Sequence, residues 1–166
     1  MPSFPRPVAL RSPGGAVVAA VVTLAAALRA VAVWRWTADV AVDVDMYRGL
    51  AANLLAGAGY VSPETGVATA FRPPLVPLIF AALGNADSAI LLFQVLAGAA
   101  TAGLTVRLAC LLGLGWKGAA LAGTVVACDP ILLRYTPRPM TEVTAALLTV
   151  ALLCRVCRGP IWSRDR

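Results

Sequence analysis

The side chains that could do chemistry are concentrated in residues 43–82, called the first loop below, which separates two apolar segments. The loop holds three of the chain's eight acids and two arginines: Asp43, Asp45, Glu64, Arg48 and Arg72. Carboxylates can act as general bases. A guanidinium can bind a phosphate through two nitrogens, and Pro73-Pro74 stiffens the backbone next to Arg72. A polar stretch of this length between apolar segments favours a site for a charged, lipid-linked substrate.

The composition is typical of a membrane protein. Only 13% of the residues are charged, against about 25% in soluble domains, and the mean hydropathy is +0.81. The net charge of +6 comes from scattered arginines without a basic run, which argues against nucleic-acid binding. Because the chain has no histidine, histidine catalysis and histidine metal ligation are excluded. Four cysteines in or beside apolar segments indicate buried thiols rather than a disulfide framework: Cys110, Cys128, Cys154 and Cys157.

Four apolar segments predict transmembrane helices at residues 16–33, 88–106, 118–133 and 139–154. The last two contain about 16 residues each, fewer than the usual 20 or so, so they require tilt, local thinning of the bilayer or snorkelling of Arg134 and Arg155. The first segment also fits a signal peptide that ends near Ala30-Val31-Ala32.

Charge asymmetry predicts the topology. With four spans and the N-terminus inside, most of the arginines outside the loop lie on the inner side and seven of the eight acids lie on the outer side. Residues 73–83 are apolar but too short to span, and a fifth span there would invert most of these charges. We therefore expect an all-α polytopic protein of the inner membrane with both termini in the cytoplasm. It would comprise a disordered tail (1–15), a transmembrane domain (16–157) and a polar tail (158–166).

The first loop contains the pattern of two short helices. After Asp43, apolar residues recur at one, three and four positions, which predicts an amphipathic helix on the outer surface that ends at Gly57 or Gly59. A turn-rich connector (60–70) leads to a second short helix in residues 73–83. Two juxtamembrane helices flanking the rigid Arg72-Pro-Pro turn would form a platform at the depth of the lipid headgroups.

Three motifs carry a family resemblance. They are Asp43-x-x-x-Tyr, then Leu-Ala-x-Asn-Leu-Leu-x-Gly-x-Gly-Tyr60, then Arg72-Pro-Pro-Leu-x-Pro-Leu. Together they resemble the first external loop of C-type membrane glycosyltransferases, in particular the protein O-mannosyltransferase and lipid A aminoarabinose transferase families. The stretch from Asp129-Pro130 to Met-Thr-Glu142 is similar to the exit of the third span in these families. The resemblance covers approximately residues 17–154.

The resemblance implies transfer of a sugar from a polyprenyl-phosphate donor to an acceptor hydroxyl or amine outside the membrane. It implies that Asp43 is a general base or positions the acceptor, and that Glu142 is the second acid. The implied substrate-binding residues are Arg72 and Arg138 for the donor phosphate, with Tyr47 and Asp45 beside them. A divalent metal could take part, although the acids do not cluster enough to define a metal site.

Simpler interpretations stand beside these roles. Asp43 can cap the surface helix, and Asp45 can be a solvated acid. Arg72 can contact ordinary lipid headgroups, and Glu142 can interact favourably with a helix N-terminus. Asp129 is expected to pair locally with Arg134.

Two sets of small residues have structural interpretations. The Cys-x-x-Cys spacing at 154 and 157 has neither a second pair nor a histidine, so it does not indicate a metal or redox site. Gly98 and Gly103 are expected to pack helices together.

The families that the chain resembles have many more spans. The expectation is therefore an N-terminal part of a glycosyltransferase, truncated or split, with a second chain supplying the missing helices. The alternative is a non-catalytic membrane scaffold or subunit that retains the fold.

Overall fold

The computed structural model describes residues 14–158, and in this range the chain is helical without a β-strand. Most of the two expected tails, 1–15 and 158–166, lies outside the described residues. The helices in chain order are α1 (Gly15–Arg35), a short 3-10 helix (Thr37–Ala41), α2 (Tyr47–Leu55), α3 (Leu75–Ala82), α4 (Asp87–Leu111), α5 (Trp116–Ala127), α6 (Pro130–Tyr135) and α7 (Glu142–Cys157). The predicted all-α class is confirmed.

Two helices are long and apolar enough to cross a membrane. Helix α1 has 21 residues and a mean hydropathy of 2.3, and α4 has 25 residues and a mean hydropathy of 1.9. At 1.5 Å per residue both exceed the hydrocarbon thickness of about 30 Å. A signal sequence near an N-terminus and the core helix of a soluble protein pass the same test, so membrane insertion rests on length and composition alone.

The expected third span does not form a continuous helix over residues 118–133. Helix α5 ends at Ala127, and α6 begins at Pro130. Proline has no backbone N–H, and the Asp129 carboxylate accepts a hydrogen bond from the Leu132 N–H at 2.8 Å, so a new helix starts here. Helix α7 begins at Glu142, as the sequence predicts. Because α5 and α7 have 12 and 16 residues, the four-span arrangement stays a prediction.

Helices α1, α4 and α5 pack through small side chains. Their shared core consists of Val21, Ala25, Ala99, Ala102, Val106, Ala109, Ala119 and Ala127. A Cβ atom on Gly103 would lie 2.6 Å from a methyl of Val22, and one on Gly123 would lie 2.4 Å from a methyl of Val106. The predicted packing role of Gly103 is therefore confirmed, because no side chain fits where α4 meets α1.

A fully buried arginine joins the same three helices. Arg29 of α1 donates hydrogen bonds to its own helix and, through its two Nη atoms, to the carbonyls of Ala127 at 3.4 Å and Val126 at 3.5 Å. These carbonyls belong to the last turn of α5, where a helix lacks its regular i+4 donors, and Val126 accepts only a long bond of 3.5 Å from the Asp129 N–H and a contact from the cap residue Cys128. The guanidinium lies against Gly98, where a Cβ would come within 2.0 Å of Nε. The residue that interrupts the first apolar segment therefore fastens α1 to α5.

The first loop has its own small core. Helices α2 and α3 pack on each other and on the start of α4 through Tyr47, Ala51, Val76, Phe80 and Ile90. Both predicted loop helices are confirmed, and α3 has only 8 residues, about 12 Å, which is too short to span. The pair carries the candidate site described next.

Candidate functional site

Asp43 closes the first turn of α2. Its Oδ1 accepts a hydrogen bond from the backbone N–H of Arg48 at 3.1 Å, and its Oδ2 accepts one from Gly49 at 2.8 Å. Both amides lie in the first turn, where a helix leaves its N–H groups unpaired. The carboxylate of Asp43 therefore does cap the helix, although the N-cap position itself is Met46 and Asp43 precedes it by three residues. Each carboxylate oxygen keeps a further lone pair, so capping leaves Asp43 able to accept a hydrogen bond from a ligand.

Gly49 lets the connector approach α2 closely. A Cβ atom at this position would lie 2.5 Å from Cγ of Pro63 and 3.7 Å from Oδ2 of Asp43. The contact with Pro63 therefore requires a residue without a side chain, whereas the distance to Asp43 would allow one.

The guanidinium of Arg72 is held by one acid and two aromatic rings. Its Nη2 lies 2.6 Å from Oδ1 of Asp45, and its central carbon lies 4.6 Å from the ring centroid of Phe71 and 5.8 Å from that of Tyr47. The Nε atom is buried and has no hydrogen-bond partner among the described residues. The interpretation of Asp45 as a solvated acid is wrong, because this ion pair draws the side chain inward and leaves it only 19% exposed.

The backbone around Arg72 is fixed by the connector. The hydroxyl of Tyr60 donates a hydrogen bond to the carbonyl of Arg72 at 2.9 Å, and the amide of Asn53 donates one to the carbonyl of Val61 at 2.9 Å. Burial raises the pKa of Tyr60, with a smaller contribution from Tyr47, so the phenol remains a donor at neutral pH. The connector thus joins α2 to the Arg-Pro-Pro turn.

Two cavities meet at Arg72. One of about 340 Å³ lies between α2 and the connector, and the other, of about 370 Å³, lies along the Arg-Pro-Pro turn. They share Thr69, Phe71 and Arg72. Each falls at the lower end of the range of about 300–1,000 Å³ that is typical of small-molecule sites. Glu64 also lines the first cavity.

Arg48 anchors the first loop to the start of α4. Its guanidinium donates to the carbonyls of Val40 at 3.0 Å and Asn85 at 2.9 Å and forms an ion pair with Asp87 at 2.6 Å. The sequence places Arg48 off the apolar stripe of α2 and gives it no role. In the sequence, Arg48 is marked only by its position directly after Tyr47, at the capped start of α2.

Arg138 and Arg134 share one carboxylate. Arg138 Nε lies 3.2 Å from Oδ2 of Asp39, and Arg134 binds the same oxygen. The predicted pair of Asp129 with Arg134 is wrong, because Asp129 turns back to cap α6 while Arg134 reaches the 3-10 helix. Burial acts to raise the pKa of Asp39, but the hydrogen bonds from Arg138 and Arg134 outweigh it, and the pKa lies below its usual value. The predicted phosphate ligand Arg138 therefore already has an anionic partner.

Glu142 lies at the first position of α7, after a turn that a buried amide holds. Its Oε2 is buried and has no hydrogen-bond partner among residues 14–158. Gln94 of α4 is fully buried and donates to the carbonyls of Arg138 at 3.1 Å and Met140 at 3.3 Å. Gln94 therefore holds the turn before Glu142 in place. In the sequence, Gln94 is marked by being an amide side chain within an uncharged apolar segment.

The predicted site residues form two groups. Asp43, Asp45, Tyr47 and Arg72 gather around α2 and the Arg-Pro-Pro turn, as the contacts above describe. Arg138 and Glu142 belong to the turn between α6 and α7. Within the described chain, no hydrogen bond or ion pair connects one group to the other.

Metal ligands do not cluster in the part of the chain that the structure describes, where no three acids and cysteines could hold an ion together. The four cysteines are free thiols; Cys154 and Cys157 are buried, as expected, whereas Cys128 is exposed where α5 ends.

Comparisons of the chain with protein-family profiles, curated protein sequences and solved structures return no match.

Proposed function

We propose that the chain is a membrane protein of the glycosyltransferase type, whose first loop binds the phosphate of a polyprenyl-phosphate-linked sugar on the outer face. The observation that carries the proposal is Arg72. Its guanidinium borders both cavities, its backbone is fixed by Tyr60, and its buried Nε has no partner among the described residues. A fixed guanidinium with a free donor at a cavity is suited to a phosphate.

In this proposal Asp43 acts on the acceptor. The acceptor oxygen forms a bond to the anomeric carbon while the bond from that carbon to the donor phosphate breaks, and the acceptor proton passes to Asp43. General-base help of this kind is worth about 10²–10⁴-fold in rate. The lone pairs that capping leaves free on Asp43 support the role. Glu142, with its unpaired Oε2, is the second acid of the proposal.

The proposed topology has four spans, with the first loop and Glu142 outside and both termini in the cytoplasm. Exposed leucines and valines on the two short helices support contact with lipid: Leu121, Val125, Leu148, Leu152, Leu153 and Val156. A single cysteine in place of Glu64, in a chain free of other cysteines, should react with an impermeant maleimide added outside cells. A cysteine in place of Lys117 is the inner control. Reaction of the Glu64 position only from the cytoplasmic side would refute the topology.

The second candidate is a non-catalytic membrane scaffold or subunit. It is favoured by the number of site residues that hold the fold together: Asp43 caps α2, and Arg48 ties the loop to α4. Such a protein would retain these contacts without any sugar transfer.

Substitution of Asp43 separates the two candidates. Vesicles containing the chain would be supplied with radiolabelled polyprenyl-phosphate sugars, and label transferred to protein or lipid acceptors would be counted. We expect Asp43→Asn to abolish transfer while leaving expression unchanged, because the single side-chain oxygen of asparagine can still accept one of the two amide hydrogen bonds at the start of α2. Asp129→Asn, which removes a charge outside the first loop and keeps the cap bond from the Leu132 N–H, is the control. Full transfer by Asp43→Asn would exclude the catalytic role.

A further inference from the structure

The ion pair between Asp45 and Arg72 uses only one of the two nitrogens, Nη2 and Nε, on one edge of the guanidinium. Asp45 Oδ1 binds Nη2 at 2.6 Å. Nε lies on the same edge, is buried, and has no partner among the described residues. A phosphate binds such an edge with two oxygens, one on each nitrogen. The edge therefore keeps one donor that the ion pair with Asp45 leaves unused.

Of the two partners, Asp45 is the one free to move. The described contacts of its carboxylate consist of this ion pair alone, so its release breaks no other bond. Arg72 is held by the Tyr60 hydroxyl at its carbonyl and by the rings of Phe71 and Tyr47. A ligand in either cavity therefore meets Arg72, whose carboxylate partner Asp45 does not line the cavities and makes no other described side-chain contact.

We propose that Asp45 is an internal competitor for the anion site. Its carboxylate occupies Nη2 of Arg72 in the free protein, and a phosphate displaces it by taking Nη2 and Nε together. The inference rests on the proposed function, because it assigns regulation to the same phosphate site. This competition also makes the site selective, because an anion that binds only one guanidinium nitrogen makes no more contacts than Asp45 already makes.

Binding to the full chain in phosphatidylcholine nanodiscs tests the inference, with polyprenyl phosphate and inorganic phosphate as the two probes. We expect Asp45→Asn to lower the Kd about five- to tenfold, the range for freeing a partly buried guanidinium from one carboxylate. Asp129→Asn removes one negative charge outside the first loop, keeps the cap bond from the Leu132 N–H, and should change the Kd less than about twofold. In an Arg72→Gln background, Asp45→Asn should not lower the Kd, because the guanidinium for which the two anions compete is gone.

The outcomes separate the two proposals. If Arg72→Gln abolishes binding while Asp45→Asn leaves the Kd unchanged or raises it, the competitor role is overturned and the phosphate site stands. If Arg72→Gln has no effect on binding, the proposed function fails. If Asp45→Asn lowers the Kd for polyprenyl phosphate but not for inorganic phosphate, the anion that competes with Asp45 is a lipid-linked phosphate.

A second measurement uses the unsubstituted chain and does not depend on how Asp45→Asn folds. The Nε–H proton resonance of Arg72 in arginine-labelled protein, assigned by its loss in Arg72→Lys, should move downfield when polyprenyl phosphate saturates the site. An unchanged resonance at saturation overturns the bidentate exchange.

Discussion

Gly98→Ala tests the contact that holds α1, α4 and α5 together. The new Cβ would lie 2.0 Å from Nε of Arg29 and 2.6 Å from its Cδ. Arg29 is fully buried, so its guanidinium cannot move aside without giving up the carbonyls of Val126 and Ala127. The substitution should therefore cost more than its small volume suggests.

The magnitude follows from the bonds that are lost. A hydrogen bond that involves a charged group contributes about 1.5–3 kcal/mol, and breaking a buried charged contact costs about 3–5 kcal/mol. The hydrogen bonds of Arg29 to α5 are long, at 3.4 and 3.5 Å, so their energies should lie near the lower limits of these ranges. We expect Gly98→Ala to lower the free energy of unfolding by about 2–4 kcal/mol.

The assay is unfolding of the detergent-solubilised chain by SDS, followed by circular dichroism. Gly118→Ala is the matched control, because Gly118 is also helical and its Cβ would meet only the Leu114 side chain, at 3.4 Å; its stability should change by less than about 1 kcal/mol. In an Arg29→Ala background the cost of Gly98→Ala should largely disappear. A Gly98→Ala chain as stable as the parent would refute the three-helix contact.

Three further predictions concern the first loop and its neighbours. Arg48→Gln should increase amide hydrogen exchange throughout α2 by releasing it from α4, whereas unchanged exchange would deny the anchor. Gly49→Ala should lower the free energy of unfolding by about 1–3 kcal/mol, because the new Cβ would clash with Cγ and Cβ of Pro63. Pro63→Gly, which removes both atoms, should recover part of this loss, and no recovery would locate the cost elsewhere. Asp39→Asn should lower stability at pH 7. Because the folded-state pKa of Asp39 is depressed, its carboxylate stabilises the fold at pH values above its unfolded-state pKa near 3.8, and this stabilisation is lost as the pH falls through the folded-state pKa. The free energies of unfolding of the parent and of Asp39→Asn should therefore converge in acid. A difference between them that stays constant with pH would contradict the pairing.

Local patterns predict the helices of this chain because each carries its own boundary signals. The stripe after Asp43 predicts α2, and Gly57 predicts its end near Leu55. The break in the third apolar segment follows from Asp129-Pro130, whose capping and missing N–H act over a few residues. The length of an apolar run conceals such a break, which is why residues 118–133 read as a single helix.

Contacts between distant segments were not predictable in the same way. Arg134 has an acid five positions away at Asp129, yet it pairs with Asp39, 95 positions away. Arg29 reads as a charge that interrupts a span, and only its approach to the end of α5 gives it a role. Sequence spacing predicts partners on one helix, whereas these partners meet because separate helices pack.

The central claim is that the first loop binds a phosphate through Arg72. The most direct test measures the affinity of the nanodisc-embedded chain for polyprenyl phosphate before and after Arg72→Gln. Arg35→Gln, which removes an exposed arginine at the end of α1, is the control for lost positive charge. We predict saturable binding that Arg72→Gln abolishes and Arg35→Gln preserves. Equal binding by all three chains, or an equal loss in both variants, would contradict it.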